Sequence, residues 1–142
     1  MARRSRAREV VLQILYGDDL NPQRNLGDVD TFLLGRLHNE ADLVEFARNL
    51  LAGARRHRPE LDEIIRARAD NWSLERMATL DRNVLRLGAY EILFGGTPGR
   101  VAINEAVELA KRYGAKQSAH FVNGILDRIL NSRGTPDQKT ED

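Results

Sequence analysis

The sequence predicts an all-α fold of about seven helices packed as two small bundles, and three observations predict it. Apolar residues recur at three- and four-residue spacing along nearly the whole chain. No segment sustains the period-two alternation of a half-buried strand. Only 4 prolines and 11 glycines occur in 142 residues, so breakers punctuate the helical pattern rather than dissolve it.

The first helix is predicted from about Ser5 to Tyr16, with Ala7, Val10, Val11, Ile14 and Leu15 on one face, and Asp18 to Gly27 is polar enough to read as a loop. A second, weaker helix spans Asp28 to His38. Asn39 can cap the third, whose stripe of Leu43, Phe46, Ala47, Leu50, Leu51 and Ala54 ends at Arg58, just before a proline. Pro59 suits the first turn of the fourth, where Glu60, Asp62 and Glu63 complement the helix dipole, and Trp72 and Ser73 mark a short connection. Thr79 can cap a fifth helix reaching Phe94. Its apolar residues point in nearly every direction around the axis, so it should be the central, buried one. Gly95, Gly96, Pro98 and Gly99 break it. The sixth helix follows from Ile103 to Tyr113, with Glu108 and Arg112 as an exposed pair and Gly114 as a C-terminal cap, and the seventh starts at Ser118 with Phe121, Val122, Ile125, Leu126 and Ile129 inward. Residues 1–132 read as one domain and 133–142 as a disordered tail.

Composition narrows function by exclusion. The chain has no cysteine, which removes disulfides, thiolate metal sites and thiol nucleophiles. His38, His57 and His120 lie in different helices without metal-ligand spacing, and no phosphate-loop, dinucleotide or nucleophile-elbow motif is present. The expectation is no enzyme, no metal and no cofactor. No signal peptide or membrane span is evident, so a cytoplasmic protein is expected.

Net charge is only +1, so any affinity for a polyanion must come from local asymmetry. The helix dipole sorts the two arginine clusters. Arg55, Arg56 and Arg58 end a helix, where cations are favourable without any ligand. Arg3, Arg4, Arg6 and Arg8 stand at a helix start, where they oppose the dipole and repel one another; a bound polyanion would relieve both penalties, although a solubilising basic tail is equally open. All four are arginines, whose planar forks suit phosphates and bases, which makes single-stranded RNA the leading anion. Stacking of unpaired bases needs flat surfaces, and Tyr16, on the polar side of its helix, and Phe121, at the edge of its stripe, are the candidates; for Phe121 a plain core role stays open. Glu91 falls toward Leu80, Val84 and Leu87, and a carboxylate there requires a partner, expected to be an arginine of a neighbouring helix.

Three stretches resemble the NusB family of bacterial transcription antitermination factors. They are Arg8-Glu9 through Leu15-Tyr16; Asp81-Arg82-Asn83-Val84-Leu85-Arg86 through Tyr90-Glu91; and Val101 through Lys111 followed by Phe121-Val122-Asn123-Gly124-Ile125-Leu126-Asp127. The resemblance spans nearly the full folded length. It implies two helical subdomains, binding to boxA RNA of ribosomal RNA transcripts together with the ribosomal protein NusE, a place in the RNA polymerase antitermination complex, and, in some relatives, homodimers. It assigns RNA contacts to Arg3, Arg4, Arg6 and Arg8, with Tyr16 and Phe121 near the RNA surface, and associates Asp81 with the RNA and partner surface. If the chain instead binds only protein, the central-helix surface around Asp81 and Arg86 is the candidate for that partner. Ser5 interrupts the basic run. The rival expectation is a helical interaction or dimerisation module that binds no RNA and in which the arginines are incidental.

Overall fold

The computed structural model describes residues 2–23, 29–70 and 72–132. Among these it holds seven α-helices and a short 3-10 turn, with no strand. The helices are α1 (Ala2–Leu20), α2 (Val29–Arg36), α3 (Ala41–Arg56), α4 (Arg58–Arg68), α5 (Thr79–Leu93), α6 (Gly99–Tyr113) and α7 (Ser118–Ser132), and the 3-10 turn is Leu74–Arg76. The expected tail, 133–142, lies outside the described residues.

α1 and α2 pack on α3, while α6 and α7 pack on each other and on α5. α5 also touches α1, α3 and α4, so it belongs to both groups. The reason is its apolar surface on all sides: Val84, Leu85, Leu87, Ala89 and Ile92 are all buried. Between the groups, α3 and α5 approach so closely that a Cβ on Gly53 would fall 2.1 Å from the Tyr90 hydroxyl and 2.2 Å from its ring carbon. Only glycine fits beneath that ring.

Several boundaries differ from those expected. α1 is longer at both ends, and Asp18, Asp19 and Leu20 are helical rather than loop. Asp19 is held in place by donors from α4 and α5, and that tertiary anchoring outweighs the poor helix propensity of the segment. Asn39 does not cap α3: His38 and Asn39 adopt φ of 55° and 58°, and the Asn39 amide donates to the Leu34 carbonyl at 2.8 Å, closing the turn after α2. Glu40 takes the N-cap position without a side-chain cap bond. Thr79 is the first residue of α5 and Ala78 its cap position. α6 starts four residues early, directly after Pro98. Gly114 does end α6, but in an extended rather than left-handed conformation.

Candidate nucleic-acid interface

α1 carries the basic segment, and its helical geometry sends the four arginines to different places. Arg3 is exposed and pairs with Glu40 and Asp42 at the start of α3. Arg4 is exposed, with its guanidinium 4.4 Å above the Phe46 ring, a cation-π contact. Arg6 is exposed and bonds Glu9 one turn on, at 3.1 Å.

Arg8 departs from expectation. It is 4 % exposed and makes a two-pronged contact with Glu91, Nε to Oε2 at 2.7 Å and Nη2 to Oε1 at 2.8 Å. Burial opposes its charge, but the hydrogen bonds and charge of Glu91, with Glu105 adding, outweigh burial and raise the guanidinium above its ordinary value. Thr97 donates a further bond to Glu91 at 2.6 Å. Arg8 is therefore the partner that Glu91 required and not a surface contact for RNA. The same pair lines a cleft of about 480 Å³ with Arg4 and Phe46.

Two grooves flank the start of α5. The first, of about 430 Å³, brings together Arg6, Glu9, Gln13 and Tyr16 of α1, Arg36 of α2, Leu80 of α5 and Tyr113 of α6. Residues 6, 9, 13 and 16 share one helix face and Leu12 flanks it, which explains the five from α1. Tyr16 and Tyr113 are exposed there, at 38 % and 51 %. The second groove, of about 280 Å³, gathers Trp72, Arg76, Met77, Asp81, Gln117 and Phe121. Phe121 is half-buried and meets the exposed Trp72 edge-on, with ring centroids 6.3 Å apart. Asp81 is half-buried, and its Oδ1 has no hydrogen-bond partner among the described residues. Leu80 of one groove and Asp81 of the other are consecutive, and Tyr113 of the first ends the helix whose following turn lines the second, so the grooves adjoin.

Arg86, expected near the partner surface, is instead 4 % exposed. Its Nε and Nη2 bond Asp62 at 2.7 and 3.2 Å, and its Nη1 bonds Asp19 at 2.9 Å and Asn83 at 3.0 Å. No side of its fork is left for a partner. Asp19 also accepts from Arg82 and Asn83; burial opposes its charge, but these hydrogen bonds and the charges of Arg86 and Arg82 prevail and hold its carboxyl down at about 2. Of the basic cluster expected to end α3, Arg55 grips Asp18 at 2.9 and 3.0 Å and the His57 ring stacks on Phe94 at 4.1 Å, whereas Arg58 instead begins α4, where it bonds Asp19 at 3.4 Å.

Sequence reasoning missed Arg36, Tyr113 and Trp72 as surface groups beside the predicted ones, and it gave the exposed Arg112 a different partner. Arg112 bonds Glu9 across from α6, not Glu108 as expected from helix spacing. Trp72 sits in a connection and Tyr113 at a helix end, where periodicity carries no information about neighbours. Among the described residues no cluster of three or more His, Asp or Glu could hold a metal, and no helix is long and apolar enough to cross a membrane.

This arrangement is matched by known proteins over nearly its whole length. The profile of the NusB family matches residues 5–131. The transcription antitermination protein NusB of Desulfitobacterium hafniense is 42 % identical over 144 residues, covering 96 % of this chain and 93 % of that protein. NusB of Anaeromyxobacter dehalogenans is 43 % identical over 130 residues, covering 92 % of each. The solved structure of T. maritima NusB superposes with a TM-score of 0.82 at 37 % identity, covering 98 % of this chain and 97 % of that one. A crystal structure of the antitermination factors NusB and NusE in complex with dsRNA contains a chain that matches with a TM-score of 0.77 at 30 % identity, covering 93 % and 98 %. With the helices, the grooves and the match all spanning the same residues, the chain belongs to the NusB family.

Proposed function

We propose that this chain is an RNA-binding transcription antitermination factor of the cytoplasm, which binds boxA-type RNA of ribosomal RNA transcripts together with NusE within the RNA polymerase antitermination complex. The observation that carries the reading is the first groove, where an exposed arginine, Arg6, stands with two exposed rings, Tyr16 and Tyr113, beside the second groove with Phe121 and Asp81. Cations for phosphates beside open ring faces for bases are what single-stranded RNA requires. Arg3 and Arg4 extend the cationic surface along α1, and the carboxylates now facing Arg3 belong to exposed pairs that a phosphate can displace at small cost. Asp81, with an oxygen lacking a hydrogen bond, is the acceptor in this surface for a donor from RNA or from the protein partner. Arg8 and Arg86 act from within, by holding the helices that present these groups.

The test is fluorescence anisotropy of a labelled boxA-like single-stranded RNA against a scrambled RNA, at several salt concentrations, with and without NusE. With Arg3, Arg4 and Arg6 as the phosphate contacts of α1, the logarithm of affinity should fall against log salt with a slope of about −2, from roughly −0.7 per contact on a single strand. Selectivity for boxA that sharpens with NusE supports the reading. A flat salt response with no preference between the RNAs in either condition overturns it in favour of a protein-interaction module.

A further inference from the structure

Glu9 occupies an unusual position for an acid in a basic surface. Its side chain is only 11 % exposed, on the wall of the first groove, and it receives two arginines from helices far apart in the chain. Arg6 Nη1 donates to Oε1 at 3.1 Å, and Arg112 Nη1 of α6 donates to Oε2. Both arginines remain substantially exposed, at 43 % and 53 %. Each guanidinium carries five N–H donors; Arg6 commits one nitrogen to Glu9, and Arg112 divides its fork between Glu9 and the Tyr113 side chain, so donors on both forks stay open. Such a pair matches the oxygens of a phosphate, and a carboxylate that holds it together lowers the ordering cost that two long, flexible side chains would otherwise meet on binding.

We propose that Glu9 is a positioning residue that holds Arg6 and Arg112 as a two-pronged phosphate clasp, so that α6 contributes a cation to the RNA path beside Tyr113. The proposal rests on the RNA-binding reading above and adds to it a contact outside the N-terminal basic segment. It has a consequence opposite in sign to simple Coulomb attraction. Removing the Glu9 charge makes the groove more positive, and a plain electrostatic surface would then bind RNA more tightly. A clasp that depends on Glu9 binds more weakly.

The experiment measures the affinity and salt slope of the full chain for a boxA-like single-stranded RNA oligonucleotide, using Arg6→Ala, Arg112→Ala, Arg112→Lys and Glu9→Gln, each checked by circular dichroism for an unchanged helix content. Arg112→Ala should weaken binding roughly three- to tenfold and flatten the slope by about 0.7. Arg112→Lys should keep the slope but recover only part of the affinity, because an ammonium lacks the fork. Glu9→Gln should weaken binding about threefold, and Arg112→Ala added to it should cost little more, since the clasp is already open. Tighter or unchanged binding by Glu9→Gln, or an unaltered slope in Arg112→Ala, sinks the clasp. If Arg6→Ala also leaves RNA binding untouched, the RNA reading fails with it; if Arg6→Ala weakens binding while Arg112→Ala does not, only the clasp fails.

Discussion

Arg8 and Arg4 stand one helical turn apart and have opposite fates, which makes them the sharpest comparison among single residues. Arg8 is buried against Glu91, with Glu105 at 3.7 Å as its only other carboxylate among the described residues, whereas Arg4 is exposed on Phe46. Glu91→Ala leaves a buried guanidinium without its main counter-charge and should lower unfolding free energy by about 3–5 kcal/mol, read from urea denaturation. Arg4→Ala should stay within about 0.5 kcal/mol of the parent. The double change Arg8→Met with Glu91→Leu should recover most of the loss, because a well-packed apolar pair of similar volume avoids desolvating two ions. Equal stability of the Arg4 and Arg8 alanine variants would contradict the assignment. The need of Glu91 for an arginine was legible in the sequence, but the identity of that arginine was obscured by counting charges at the helix start instead of following the helix face. Arg8 precedes Val11, Leu12 and Leu15 by three, four and seven residues, and all three are buried, so the face alone marks Arg8 as inward.

At the level of elements, the end of α1 shows how a helix of poor local propensity is stabilised from outside. Asp18 and Asp19 read as loop because aspartate favours caps and turns, and nothing nearby in sequence compensates. Their partners come from α3, α4 and α5: Arg55 on Asp18, and Arg58, Arg82, Asn83 and Arg86 on Asp19. The Asp19 carboxyl lies at about 2 in the folded chain against 3.8 ordinarily. A lowered folded value stabilises the native state above the unfolded value, and that stabilisation is lost as pH falls through the folded one. Asp19→Asn should therefore cost about 2 kcal/mol at neutral pH, the scale of hydrogen bonds to a charged acceptor, and the gap to the parent should close as pH drops from about 4 to about 2. A gap that stays constant across this window, in urea titrations at each pH, would show that the charge of Asp19 is not what matters. α6 makes the complementary point. Its true start at Gly99 was hidden because a Pro-Gly pair reads as a breaker, although proline before a first turn is compatible with helix.

For the molecule as a whole, the sequence disclosed the all-helical class and the central place of α5, because an apolar surface on every side of one helix can be satisfied only by neighbours on every side. It did not disclose the grooves, since Tyr16, Arg36 and Tyr113 meet only through the packing of helices distant in sequence. The sharing of α5 has a thermodynamic consequence. Two helical groups that each held their own complete core could unfold separately, whereas groups that divide one helix between them should unfold together. The seam can be loaded at Gly53, where any Cβ collides with the Tyr90 ring. Gly53→Ala should destabilise by about 1–3 kcal/mol through overpacking between α3 and α5. Trp72 is the sole tryptophan and contacts Phe121 of α7, so its fluorescence reports on the C-terminal group, while far-ultraviolet circular dichroism reports on every helix. Urea transitions followed by the two signals should coincide in the parent, and Gly53→Ala should move both midpoints down by the same amount although the substitution lies in the other group. A tryptophan midpoint that stays in place while the dichroism transition broadens or splits would mean that α5 holds the C-terminal helices without the first group, and that the seam under Tyr90 joins two units rather than completing one.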